Sequence, residues 1–142
     1  MANKPVIALG TEEESAYIRN RLIAFNAEHV PEALSSRYEE INLSLKDDNG
    51  QVVGGMLSTL CWNWIEVDIL WVDESRRGLG YGTYLLQEIE RIAREKGCTM
   101  IKLNTFSFQA PEFYRKQGYE QIAVIHDAPT GSSHYYFKKA IR

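Results

Sequence analysis

A strand-like run of nine residues, WIEVDILWV (Trp64–Val72), passes through the short linker Asp73-Glu74-Ser75 into the glycine turn RRGLGYG, which opens directly onto a helical pattern. Trp, Ile and Val suit a pleated strand. After the turn, Tyr84, Leu85, Ile89, Ile92 and Ala93 fall on one helical face, while Glu88, Arg91, Arg94 and Glu95 fall on the other. Gly97 stands where a helix ends on a left-handed residue. Such a unit constrains both fold and chemistry. The first amides of the helix lack partners, the helix dipole adds positive potential, and glycines let an anion reach the backbone without meeting a Cβ. A phosphate group is the expected guest.

The flanking segments read as mixed α and β structure. Pro5–Leu9 (PVIAL), ending at Gly10, reads as a first strand. Thr11-Glu12-Glu13-Glu14 has the capping-box pattern and predicts a helix with apolar positions Tyr17, Ile18, Leu22, Phe25 and Ala27, running to about His29 and closed by Pro31. Residues 31 to 38 are ambiguous. Ile41–Lys46, the turn Asp47-Asp48-Asn49-Gly50 and Gln51–Leu60 form a hairpin pattern, in which Gly54-Gly55 predicts a bulge or a close backbone approach. Met100–Phe106 is a further strand, and Pro111–Lys116 a short helix with Gly118 just beyond it. Tyr119–His126 and His134–Ala140 are the terminal strands, joined by a turn-rich stretch at 127 to 133.

At 142 residues the chain has the size of one domain, 1–142, and one site is expected. With 16 Lys+Arg against 19 Asp+Glu, a net charge of −3, it has no basic footprint for nucleic acid or an anionic membrane. Cys61 and Cys98 lack the spacing of a zinc site or a disulfide scaffold and read as reduced thiols, which points to the cytoplasm. The amino end is too short in apolar residues for a signal peptide, and no run reaches the ~18 apolar residues of a membrane span. His29, His126 and His134 do not cluster with other ligands, so no metal is expected; His134 remains a candidate relay beside the terminal loop.

Three phosphate loops compete. A P-loop needs Lys-Ser/Thr after its last glycine, and Tyr81-Gly82-Thr83-Tyr84 supplies no lysine. A dinucleotide fingerprint needs Gly-x-Gly-x-x-Gly and a later acid, whereas the turn reads Gly-x-Gly-x-Gly and Lys96-Gly97 stands where the acid belongs. The third is found by resemblance. Arg77-Gly78-Leu79-Gly80-Tyr81-Gly82 resembles the Gln/Arg-x-x-Gly-x-Gly/Ala motif of the GNAT superfamily of N-acetyltransferases. Ala110-Pro111-Glu112-Phe113-Tyr114-Arg115-Lys116-Gln117-Gly118-Tyr119 is similar to that superfamily's second signature, with Ser107 at the place of a common asparagine and Tyr119 at that of a phenylalanine. Thr105 to Ala110 with Phe113-Tyr114 resembles an uncharacterised bacterial subgroup.

The resemblance implies an α/β (α+β) GNAT fold: a mixed, twisted sheet of six to seven strands with helices on both faces, splayed between strands 4 and 5. It implies acetyl-CoA as co-substrate, its pyrophosphate on the amides of Arg77, Gly78, Leu79, Gly80, Tyr81 and Gly82, its pantetheine along the backbone edge at Leu70 and Val72, and Ser107 near a CoA-side hydrogen bond. The same resemblance places a tyrosine acid at Tyr114, an oxyanion donor at the Val72 amide, and a glutamate base at Glu66, eleven residues before Arg77. Asp68 lies two residues on and, barring a bulge, faces the same way. The pair suits a general base, and equally a solvated sheet face. Acetyl transfer from acetyl-CoA to a primary amine of a small molecule or peptide, by direct attack, is the leading expectation. A non-catalytic acyl-CoA sensor is the alternative, and a thioester hydrolase has no separate signal. Superfamily members often dimerise, which implies a homodimer. Residues 12 to 38 and 120 to 136, where acceptor choice would lie, carry no legible motif.

Overall fold

The structure, a computed structural model, describes residues 3–142, which divide into two units, one ending at Ser36 and one spanning Arg37–Arg142. The first holds helix α1 (Glu12–Ala27) and the one-turn helix α2 (Glu32–Ser35). The capping box forms as expected: Thr11 N–H donates to Glu14 Oε1 at 2.8 Å and Glu14 N–H to Thr11 Oγ1 at 3.2 Å. No residue of either helix is buried. The expected first strand at Pro5–Leu9 is absent: the segment has no ladder partner, and an apolar run becomes a strand only where another strand pairs with it.

In the second unit the strands are β1 (Tyr38–Lys46), β2 (Val52–Cys61), β3 (Trp64–Val72), β4 (Met100–Phe106), β5 (Glu120–His126) and β6 (Ser133–Ala140). Among the described residues they form one six-stranded sheet in the order β1-β2-β3-β4-β6-β5. Every neighbouring pair is antiparallel except β3 with β4, which are joined through helix α3 (Tyr81–Glu95). A short helix α4 (Pro111–Lys116) follows β4. The predicted hairpin turn holds because Asp47 Oδ1 accepts from the amides of Asn49 and Gln51. Gly54 and Gly55 meet their expectation of close approach: a Cβ would lie 3.0 Å from the Trp71 carbonyl oxygen at Gly54 and 2.6 Å from that of Leu43 at Gly55.

The amphipathic face of α3 is the one the sequence predicts. Leu85, Leu86, Ile89 and Ala93 pack with Met56, Leu60, Ile65, Val67, Ile101, Leu103 and Phe137 of the sheet, and Tyr114 of α4 joins the same core. Burying each of the larger apolar side chains here contributes about 1.5–3 kcal/mol. Glu90 is also buried, and its carboxylate is met by Lys139 Nζ at 2.9 Å and Tyr119 Oη at 3.2 Å. Lys139 further donates to the Gln117 carbonyl at 2.8 Å, so this buried ion pair fixes the end of α4.

Candidate functional site

The parallel pairing of β3 and β4 covers only Trp64–Val67 against Met100–Leu103. Beyond Val67 and Leu103 the two strands part, and a cleft of about 840 Å³ opens between them. This is the splay expected between the fourth and fifth strands of the sequence count, which are β3 and β4 here.

One edge of the cleft is backbone that no strand pairs with. Asp73 N–H donates to the Val53 carbonyl of β2 at 2.8 Å. By strand alternation, the amide and carbonyl of Val72, and those of Leu70, turn to the opposite edge, where no strand follows. The Arg77 guanidinium already marks that edge, its Nε donating to the Val72 carbonyl at 3.1 Å. Leu70 and Val72 both line the cleft.

The glycine turn lines the cleft as well. Gly78 and Gly80 adopt positive φ, +78° and +83°, with nothing within 4 Å of where a Cβ would sit. Gly80 is the N-cap of α3 and provides no side-chain cap. The first intrahelical bond of the turn runs from Tyr84 N–H to the Gly80 carbonyl, at 3.0 Å, which leaves the amides of Tyr81, Gly82 and Thr83 ahead of it to point along the helix axis. Arg76, Arg77, Gly78, Gly80, Tyr81 and Gly82 line the cleft here, whereas Leu79 does not. Open space over left-handed glycines and uncapped amides fits a pyrophosphate, as acetyl-CoA requires, with Arg77 and Arg76 close by, the latter paired with Asp47 at 3.4 Å.

Tyr114 reaches the cleft from α4 on the core side. It is only 8% exposed and lies edge-on to Phe113 and Tyr119, at 5.2 and 6.1 Å. Burial pushes its phenol pKa up to about 12, so the hydroxyl keeps its proton at neutral pH.

The carboxylates part company. The β2–β3 register slips between Leu57 and Ser58, where Leu57 faces Ile69 and Ser58 faces Val67, so Asp68 is the extra residue of a bulge. Asp68 lines the cleft and Glu66 does not. Asp68 Oδ2 accepts from Thr59 Oγ1 at 3.3 Å, and Thr59 is the cross-strand partner of Glu66. Both carboxylates therefore stand on the sheet face away from α3, with Asp68 at the opening. Ser107 lies outside the cleft lining: its hydroxyl accepts from the Ser133 amide at 3.0 Å and its amide donates to the Ser133 carbonyl at 2.9 Å, extending the β4–β6 ladder.

Asn104, which the sequence reading did not single out, and Thr105, Phe108 and Gln109, which it noted only for their resemblance to a bacterial subgroup and gave no role in the site, also line the cleft. Gln109 Oε1 accepts from Thr105 Oγ1 and from the Phe106 amide, each at 3.0 Å, which folds the loop after β4 back on itself. His134 does not line the cleft, but its Nε2 lies 2.9 Å from Asn104 Oδ1. Among the described residues no three His, Cys, Asp or Glu side chains converge as a metal site, and no helix is long and apolar enough to cross a membrane.

Comparisons with known proteins point to one family. The model of the acetyltransferase (GNAT) family matches residues 11–119. A blasticidin-S acetyltransferase of Streptomyces morookaense is 42% identical over 94 residues, covering 65% of this chain and 69% of its own. The acetyltransferase Atu2258 of Agrobacterium fabrum is 30% identical over 128 residues, 90% of each chain. A crystal structure of an acetyltransferase from Bacillus cereus ATCC 14579 superposes with a TM-score of 0.91 over 96% of this chain and 97% of that one, at 44% identity.

Proposed function

The chain belongs to the acetyltransferase (GNAT) family, and from that premise we propose that it transfers the acetyl group of acetyl-CoA to a primary amine by direct attack. The observation that carries this reading is the splay. One continuous cleft has the amide cradle at one end and, past Val67 and Leu103, a buried tyrosine and an exposed carboxylate close to its opening.

Bound acetyl-CoA supplies an acetyl group activated as a thioester. The amides of Gly78, Gly80, Tyr81 and Gly82 hold its pyrophosphate, and the Leu70 backbone with the Val72 amide pairs with its pantetheine, the Val72 carbonyl being taken by Arg77. Asp68, with Glu66 behind it on the same face, accepts the proton that an ammonium must lose before its nitrogen can attack. The Val72 amide points to the edge where the carbonyl oxygen gains charge. The Tyr114 hydroxyl, protonated at neutral pH, gives its proton to the departing sulfur.

Acetyl-CoA binding followed by CoA release on a panel of polyamines, amino acids, aminoglycosides and peptide amino termini tests this reading. Turnover on at least one amine is expected. Acetyl-CoA binding with no turnover on any amine would instead mark a non-catalytic sensor.

A further inference from the structure

Beside the cleft runs a row of four aromatic rings, three of them stacked, that acetyl transfer itself does not require, and its end ring, Phe108, lines the cleft. Phe106 and His134 are cross-strand partners of β4 and β6, with ring centroids 4.3 Å apart and planes at 21°. Phe108, from the loop after β4, stacks on Phe106 at 5.4 Å with planes only 4° apart. Tyr136, two residues along the same strand, lies 4.5 Å from His134 with planes tilted at 45°. Phe106, His134 and Tyr136 alternate with the core-side residues Thr105, Tyr135 and Phe137, so the stack stands on the sheet face away from α3. Asn104, directly opposite Tyr136 in the ladder, shares that face.

Two features separate this stack from ordinary packing. Phe108 lines the cleft while 63% exposed, so most of an apolar ring is left uncovered at the site. Parallel stacking on Phe106 leaves its outer face open. In addition, the bond from His134 Nε2 fixes Asn104 through Oδ1, which leaves the NH2 group of Asn104 as a donor at the cleft. Asp68, the first residue of β3 past the last β3–β4 pair, brings a negative charge to the same opening as Asn104, the first residue of β4 past it.

A flat, electron-rich face beside an oriented amide and a carboxylate suits a planar ring attached to a cation. We propose that Phe108, braced by Phe106 and His134, is a stacking platform for an aromatic or heteroaromatic ring of the amine acceptor, and that Asn104, oriented by His134, bonds to the edge of that ring. The proposal rests on the reading of the cleft as an amine acetyltransferase and specifies its substrate class.

The test pairs amines of matched charge and length, tryptamine and 2-phenylethylamine against 2-cyclohexylethylamine. The expected kcat/KM favours the aromatic amines at least tenfold, through KM. Phe108→Ala abolishes that ratio and Phe108→Trp keeps it. Equal use of both classes, or a ratio untouched by Phe108→Ala, would overturn the platform while leaving the transferase reading intact. Should none of these amines be acetylated, saturation-transfer NMR on the acetyl-CoA-loaded protein decides. Signal transfer to the tryptamine ring, lost in Phe108→Ala, supports the platform even though turnover has failed, and its absence overturns it.

Discussion

Gly82 lies so near Phe113 that a Cβ at position 82 would meet the ring's Cζ at 3.0 Å. The first turn of α3 and the helix that carries Tyr114 are thus packed without a spare methyl group between them. Gln117 Nε2 adds a bond to Thr83 Oγ1 at 3.0 Å. The first turn of the amide cradle and the helix of the proposed acid are therefore in direct contact, and a change at one presses on the other.

Gly82→Ala tests that coupling. The Phe113 ring must yield by a few tenths of an ångström, and overpacking of this kind costs about 1–3 kcal/mol. The expected result is a several-fold rise in the acetyl-CoA dissociation constant by calorimetry, together with a lower urea midpoint. Wild-type affinity would show that the two helices adjust independently.

Tyr114→Phe removes one oxygen and keeps the ring in its contacts with Phe113, Tyr119 and Phe137. Loss of a positioned proton donor lowers rates by about 10²–10⁴-fold. We expect kcat to fall by about 10²-fold while acetyl-CoA binds as before; an unchanged kcat removes the assignment.

Local grammar made much of this legible in the sequence. The strand, glycine turn and amphipathic helix, the capping box at Thr11 and the end of α3 at Gly97 all depend on residues within a turn or two of one another. What stayed hidden depends on pairing across the sheet. PVIAL has the composition of a strand, yet only a partner would have made it one. The bulge at Asp68 is set by the β2 register, so period-two counting could not show that Asp68, rather than Glu66, lines the cleft. Asn104 and His134 meet only because β4 lies beside β6, thirty residues on, and Glu90 finds Lys139 in the same way.

That difference between the two carboxylates is open to measurement. If Asp68 accepts the ammonium proton, Asp68→Asn abolishes the acidic limb of the kcat/KM profile and lowers its plateau by about 10²-fold. Glu66→Gln, one step removed from the cleft, keeps the limb. A limb that persists in both variants, and in the double variant, eliminates the carboxylates as the base.

Alkaline pH should expose the burial of Tyr114 in stability as well as in catalysis. Its folded pKa, about 12, stands above the ordinary value of 10.0 because the charged phenolate is poorly solvated in the core. Below pH 10 the phenol is neutral in both folded and unfolded chains, and its contribution is fully present. As pH rises from 10 to 12 the unfolded chain ionises first, proton release pulls the equilibrium toward it, and up to about 3 kcal/mol is lost. Tyr119, raised by burial and by the Glu90 carboxylate, adds in the same direction. Urea midpoints should therefore begin to decline near pH 9, where the Cys61 and Cys98 thiols, also pushed up by burial, ionise first in the unfolded chain, and fall most steeply above 10. Tyr114→Phe, having no proton to lose, should show a shallower fall over that window. An identical slope in the variant would mean that the phenol is solvated and ionises as easily in the folded protein as in the unfolded chain.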